Sequence, residues 1–258
     1  MKISRREALK QIGLFAGVIW LPACSISTKE TPLTPPAGDL YRPKKNKTIA
    51  LLGATGMVGG YILNKALIQG YEVRALVRTP AKLDAFKNQI TIIQGDARDV
   101  ASIQELLTGC DVVISALGPV KAEGKAAVDI CSAATSQILE VMRQQNLNRY
   151  IVISGAAVTM PGDHRNLKGW MIQKLAQIAL SEILRDKNRE FNLLQASWVQ
   201  WTLVRCPLID PEPYRHAAQA RLDTPASFNL RAGELARFVI DQIDSLEYIR
   251  KGPFLGSV

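Results

Sequence analysis

The sequence has few cysteines and almost no histidine. Its four cysteines, Cys24, Cys110, Cys131 and Cys206, form no Cys-x-x-Cys pair, so neither a disulfide framework nor a zinc ribbon is supported. The two histidines, His164 and His216, lie far apart in the chain, which argues against a histidine-based metal site, and no metal is expected. Long hydrophobic runs are also missing. The near-apolar stretch Gln11 to Leu21 would cover about 16 Å as a helix, roughly half a hydrocarbon core, which disfavours a spanning segment. What is present suffices for a fold: 258 residues with 47% apolar content support one domain of roughly 200 residues with its own core. The formal charge of +9 suggests nucleic acid or an anionic membrane as partner until it is located. Residues 1–47 hold Lys2, Arg5, Arg6, Lys10, Lys29, Arg42, Lys44, Lys45 and Lys47 against Glu7, Glu30 and Asp39, whereas residues 48–258 are nearly balanced. The body therefore offers no case for nucleic-acid binding.

Met1 to Lys10 is charged, Gln11 to Leu21 apolar, and Pro22-Ala23-Cys24-Ser25 small, which is the order of a signal peptide. The alternative is an amphipathic cytosolic helix. Ser4-Arg5-Arg6-Glu7-Ala8-Leu9-Lys10 resembles the twin-arginine export motif, with Ala8 where Phe is usual. Leu21-Pro22-Ala23-Cys24 resembles a bacterial lipobox, which implies lipidation at Cys24. The expected organisation is an export signal over 1–24, a Thr- and Pro-rich basic linker over 25–47, and a folded domain over 48–258. The expected location is outside the cytoplasm, as a membrane-anchored lipoprotein or a periplasmic protein. The run Arg42-Pro43-Lys44-Lys45-Asn46-Lys47 reads as a solvated tether, with attraction to anionic lipid as the alternative.

From Thr48 onward, short apolar runs alternate with helical periodicity. Strands are expected at 48–53, 71–77, 90–93, 111–117, 150–154 and 201–204, with a last one near Phe254. Helices are expected from Val58 to Gly70, over 100–107, from Ala127 to Val141, from Lys168 to Gln195 and over 232–243. This succession predicts an α/β fold of the Rossmann type, a doubly wound parallel sheet in a single domain. Trp170, Met171, Leu175 and Ile178 are expected in the core, with a substrate wall as the alternative, and Cys131 as a small buried hydrophobe. His164, in a Pro161-Gly162-Asp163 loop, is expected in solvent.

Gly53-Ala54-Thr55-Gly56-Met57-Val58-Gly59 joins the first strand to the first helix, the place where a dinucleotide pyrophosphate binds. Gly53 allows the tight exit, Gly56 lets backbone approach phosphate, and Gly59 lets helix and strand pack closely; the helix N-terminus attracts the anion. Arg78 ends the second strand where an NAD-preferring site would often carry an acid. NADP is therefore expected ahead of NAD, with Lys82 nearby. Asp96 and Ala97 end the third strand, and Leu117 and Gly118 the fourth; these ends face adenine and ribose in such an architecture.

On Gly53-Ala54-Thr55-Gly56, Val77-Arg78-Thr79-Pro80, Gly95-Asp96, Ile114-Ser115-Ala116-Leu117-Gly118 and Trp201-Thr202-Leu203-Val204-Arg205, residues 48–258 resemble the atypical short-chain dehydrogenase/reductase group with an NAD(P)H-binding, NmrA-like domain. Asp186-Lys187-Asn188-Arg189, Leu193-Leu194, Ser197 and the ending from Gly233 to Tyr248 are most similar to its biliverdin and flavin reductase branch. The resemblance implies a reductase, yet the group's usual Tyr-x-x-x-Lys has no well-placed match. Tyr41 and Lys45 lie in the linker and Tyr61 and Lys65 on the first helix, while Ile183 precedes Lys187 by four and Ser154 follows Tyr150 by four. The branch's histidines near Lys187 and Leu208 are absent too. Ser154 and Lys187 remain the polar candidates near the nicotinamide. An acceptor that asks little of a protein acid follows: a flavin, quinone or tetrapyrrole. A non-catalytic assembly or redox-sensing role, with a protein partner, is the alternative.

Overall fold

Apolar runs four to seven residues long become strands covered on both faces. In the computed structural model, which describes residues 46–119, 128–164 and 167–258, the order is β1 (Thr48–Leu52), α1 (Met57–Ile68), β2 (Glu72–Val77), a 3₁₀ helix (Pro80–Phe86), β3 (Thr91–Gln94), α2 (Val100–Leu107), β4 (Val112–Ser115), α3 (Ile130–Gln144), β5 (Arg149–Gly155), α4 (Leu167–Ala179), α5 (Ser181–Ala196), β6 (Gln200–Cys206), β7 (Leu208–Asp210), β8 (Gln219–Arg221), β9 (Asn229–Arg231), α6 (Ala232–Asp241) and β10 (Phe254–Gly256). The export signal, Cys24, nearly all of the linker, and Ala127 lie outside the described residues.

The sheet runs β3-β2-β1-β4-β5-β6-β10-β8. Every neighbouring pair is parallel except β10 with β8. This is the expected Rossmann order, reversing direction between β1 and β4. Alternate side chains of β1 enter different cores. Ile49 and Leu51 meet α1 and α6 on one face, while Ala50 and Leu52 meet α2, α3 and α5 on the other. All four are fully buried, and full burial of a side chain such as Leu51 contributes about 2 kcal/mol. β7 and β9 pair apart from the main sheet.

Two expectations need correction. The helix expected over 168–195 is two helices, since Leu180 breaks the run between α4 and α5 with ψ of 31°. Trp170, Met171 and Ile178, expected in the core, are 49, 53 and 78% exposed. Periodicity reported an apolar face correctly, but nothing local says whether the fold supplies a partner for it. The basic run also ends on the body: Lys47 forms an ion pair with Asp244.

Candidate functional site

The glycine turn leaves β1 at the carboxyl edge of the sheet. Gly53 takes φ of 80°, in the left-handed region, and a Cβ there would lie 2.6 Å from the Ala116 carbonyl oxygen at the end of β4. A Cβ at Gly59 would collide with the Gly53 carbonyl oxygen, so only glycine lets α1 approach the turn this closely. Gly56 donates its N–H to Gly53 O at 3.0 Å and accepts from Gly60 N at 2.8 Å. Ala54 is buried, Thr55 and Gly56 are exposed, and Met57 and Val58 are half-buried. Two helix starts receive side-chain acceptors, whereas those of α5 and α6, like that of α1, have none. Asp99 accepts from Ser102 N at the start of α2, and Asp186 accepts from Cys131 N and Ser132 N, both at 2.9 Å, at the start of α3. The start of α1 has no side-chain cap, which suits a ligand phosphate supplying the acceptor.

The strand ends gather along the same edge, because β1 pairs with both β2 and β4 in parallel register. Arg78 is exposed just past β2, and Lys82 is exposed in the 3₁₀ helix that follows. Asp96 is half-buried and accepts from Arg98 N at 2.8 Å, while Ala97 packs into the core. The Arg98 guanidinium stands 3.8 Å from Asp96 and 3.4 Å from Asp129, adding a cation that the sequence reading missed. Its spacing two residues beyond Asp96 was the available signal. Leu117 and Gly118 are half-buried beyond β4.

The two polar candidates, Ser154 and Lys187, are both buried. Lys187 is 2% exposed; its ammonium donates to Leu117 O at 3.2 Å, Ile153 O at 2.9 Å and Glu190 Oε2 at 2.9 Å. It ties the chain just past β4 to β5. Glu190, fully buried, also accepts from Thr135 Oγ1, which is 3.1 Å from the Tyr150 hydroxyl. Burial pushes the Glu190 carboxyl above the usual carboxylate range, with Lys187 opposing, and pushes the Tyr150 phenol up as well. Sequence reasoning missed Glu190, although its spacing of three from Lys187 on one helix was the signal. Ser154 is fully buried, and its Oγ has no hydrogen-bond partner among the described residues. Such an orphan costs about 1–3 kcal/mol where nothing pairs with it.

The glycine cradle, the uncapped α1 and the reversal of strand order beside them fit a dinucleotide. A family model described as NAD(P)H-binding matches residues 53–245. The chain belongs to this NAD(P)H-binding family. Among solved structures it is similar to ChuY, an anaerobillin reductase of Escherichia coli O157:H7, with a TM-score of 0.67 and 18% identity, covering 81% of this chain and 95% of that one. It is similar also to a short-chain dehydrogenase/reductase of Veillonella parvula in complex with NADP, at 0.63 and 17%, covering 82% and 94%. At these identities the likeness carries the fold alone. Cinnamoyl-CoA reductase 1 of Petunia hybrida is 23% identical over 48% of this chain and 40% of its own length. The chain spans less than half the length of the curated relatives it matches.

In this NAD(P)H-binding domain, the wall beyond β5 is held by Arg205, at the end of β6. Its guanidinium, 1% exposed, donates to both Asp163 oxygens at 2.7 and 2.8 Å and to Gly252 O at 2.8 Å. It also donates to Val158 O at 3.3 Å and Leu222 O at 3.4 Å, and lies 3.5 Å from the Phe254 ring centroid. His164 is exposed at the end of this loop, as expected. Cys131 is buried, which raises its thiol pKa and makes it a poor nucleophile. A separate cavity of about 300 Å³ lies at the opposite, amino edge, lined among others by Lys47, Asp111, Arg149 and Asp244. There Arg149 donates to Gln200 O and Gln242 O, so it closes the end of α6 and lies away from the glycine turn.

Proposed function

We propose that the protein is an NADPH-dependent reductase of a small conjugated acceptor, a flavin, quinone or tetrapyrrole, delivered across the cytoplasmic membrane by the twin-arginine route and held at the membrane through Cys24. The observation that carries the cofactor assignment is Arg78, exposed past β2 on the edge that bears the glycine turn. A guanidinium there pairs with a 2′-phosphate, where a carboxylate would hydrogen-bond a 2′-hydroxyl. Gly53, Ala54, Thr55, Gly56, Met57 and Val58 would hold the pyrophosphate, Asp96 and Ala97 the adenine side, and Leu117 and Gly118 the ribose. When bound, the dihydronicotinamide supplies a hydride. The chain contributes orientation and exclusion of water: Lys187 fixes the Leu117 carbonyl, and Ser154 holds a hydroxyl donor at the end of β5. Neither is an exposed proton donor. An acceptor that delocalises the incoming electron pair and takes its proton from solvent is the kind this edge can serve. The similarity to an anaerobillin reductase, and to a fold that holds NADP, supports this reading.

The burial of Lys187 and Ser154 favours a second reading, a dinucleotide-binding protein without turnover that assembles with or senses a partner. Twin-arginine export carries folded proteins with cofactor in place, which suits either. The test isolates the protein from its native membrane, identifies bound nucleotide by mass spectrometry, and adds flavin, quinone and bilin. Oxidation of bound NADPH supports the reductase; bound nucleotide that no acceptor oxidises supports the second reading. Arg78→Glu is expected to weaken NADPH about tenfold or more, about 1.4 kcal/mol, and to reverse the preference over NADH. Equal affinity of the parent protein for both dinucleotides would overturn the NADP assignment.

A further inference from the structure

Helix α4 shows large apolar side chains to solvent. Trp170, Met171 and Ile178 are about half to three-quarters exposed, whereas the polar Gln173 is 7% exposed and donates to Ala157 O and to Thr159 Oγ1. At about 100° per residue, Trp170, Met171, Lys174 and Ile178 share one arc of the helix and Gln173 falls outside it. The Lys174 ammonium lies 5.9 Å from the Trp170 ring centroid. Between His164 and Ser181 the chain carries Arg165, Lys168 and Lys174 and no Asp or Glu. A short helix that shows Trp, Met and Ile around lysine has the composition of one lying in a headgroup layer. There the apolar side chains enter the acyl boundary and the cations meet anionic headgroups. At 13 residues, α4 covers about 20 Å and is too short to span. Among the described residues no helix is long and apolar enough to cross a membrane.

We propose that α4 is a membrane-docking face, resting on a bilayer surface that carries anionic headgroups. This deepens the reductase reading and rests on its membrane location. Through Gln173, α4 is fastened to the loop beyond β5, at the edge of the sheet that bears the glycine turn, so docking brings that edge to the lipid surface from which an apolar acceptor would come. The tether permits the contact. Residues 25–47 reach about 75 Å at full extension, several times the radius of gyration of about 16 Å for a domain of this size, so an anchor at Cys24 leaves α4 free to reach the same bilayer.

The experiment reconstitutes the full chain into vesicles of phosphatidylcholine with phosphatidylglycerol and follows amide hydrogen exchange over 167–179, with the same chain in detergent as reference. Exchange is expected to slow by about fivefold or more in the vesicles. That protection should vanish in Trp170→Ser/Met171→Ser/Ile178→Ser and persist in Trp198→Ser, a control at another exposed tryptophan. Equal exchange in vesicles and detergent overturns the proposal. So does protection in detergent that grows with protein concentration, because a second copy then covers the face. Should the triple variant lose protection in its core strands, Lys174→Glu serves instead, with a smaller loss over 167–179 expected; an unchanged value overturns the role of charge. Oxidation of NADPH by a water-soluble flavin separates the two readings. Protection over 167–179 without turnover sinks the reductase and leaves docking standing, while turnover without protection sinks docking alone.

Discussion

The two faces of the sheet are built differently. Against α1 and α6 the buried side chains are mainly apolar, from Ile62 and Leu63 to Leu235 and Val239, with the buried Glu234 of α6 accepting from Ser257 Oγ and from the His216 N–H. Against α2, α3 and α5 an apolar core of similar extent is crossed by a polar seam of Thr135, Tyr150, Glu190 and Lys187, with Asp186 beside it. The apolar face needs only close packing, which glycines at 53 and 59 permit. The seam sits where Leu117 and Ile153 end their strands, and there a fixed orientation of carbonyl groups matters more than burial. A buried ion pair is weak evidence for stability, since well-packed apolar residues often do as well. Its placement at the strand ends points to positioning.

Breaking the seam should give the largest effect. Lys187→Met leaves Glu190 buried without its cation and is expected to cost about 3–5 kcal/mol in urea unfolding, while Lys187→Met/Glu190→Leu recovers most of that loss. The single variant should also acquire a pH dependence. Burial raises the Glu190 pKa above its unfolded value, so the stability it contributes is present below the unfolded pKa of 4.5 and is lost as pH rises through the folded value. Melts at pH 5 and pH 8 should therefore differ, with the alkaline sample weaker, and identical curves would place Glu190 in water. On the apolar face, Leu63→Ala is expected to cost about 3 kcal/mol, read in the same urea unfolding.

Gly59→Ala tests the close approach of α1 to β1. About 1–3 kcal/mol is expected from overpacking, with NADPH affinity falling further than stability as the turn is pushed outward. Fluorescence titration with NADPH beside a thermal melt separates the two losses. Asp186→Ala removes the borrowed cap of α3 and is expected to cost about 1 kcal/mol, the smallest effect of the four, read in the same melts.

The nucleotide half was legible because its signals are local. The apolar run at 49–52, the glycine spacing of 53, 56 and 59, and the stripe ending at Gly70 each lie within a dozen residues. Arg78, Asp96 and Leu117 were found by counting strand ends, and parallel register placed them on one edge. The seam was not legible, since Thr135 meets Glu190 across 55 residues and Leu117 meets Lys187 across 70. Lys187 was singled out as a lone polar side chain, and its partners, Glu190 and the Leu117 and Ile153 carbonyl groups, were not. Three-residue strands such as β7, β8 and β9 carry too few side chains to show a period, and the exposure of Trp170 depends on what the rest of the fold leaves uncovered.

The junction at Arg205 bears on how the loops at this end of the sheet could be exchanged. One guanidinium serves carbonyls or carboxylates from the segments at 158–163, 222 and 252, so no single loop can be exchanged without stranding partners in the other two. A graft at 156–164 alone would leave a buried cation short of its carboxylate, whereas transferring all three segments as one cassette would keep every bond. Change in these three segments should then proceed by linked replacements around an unchanging arginine, not by loops that drift one at a time.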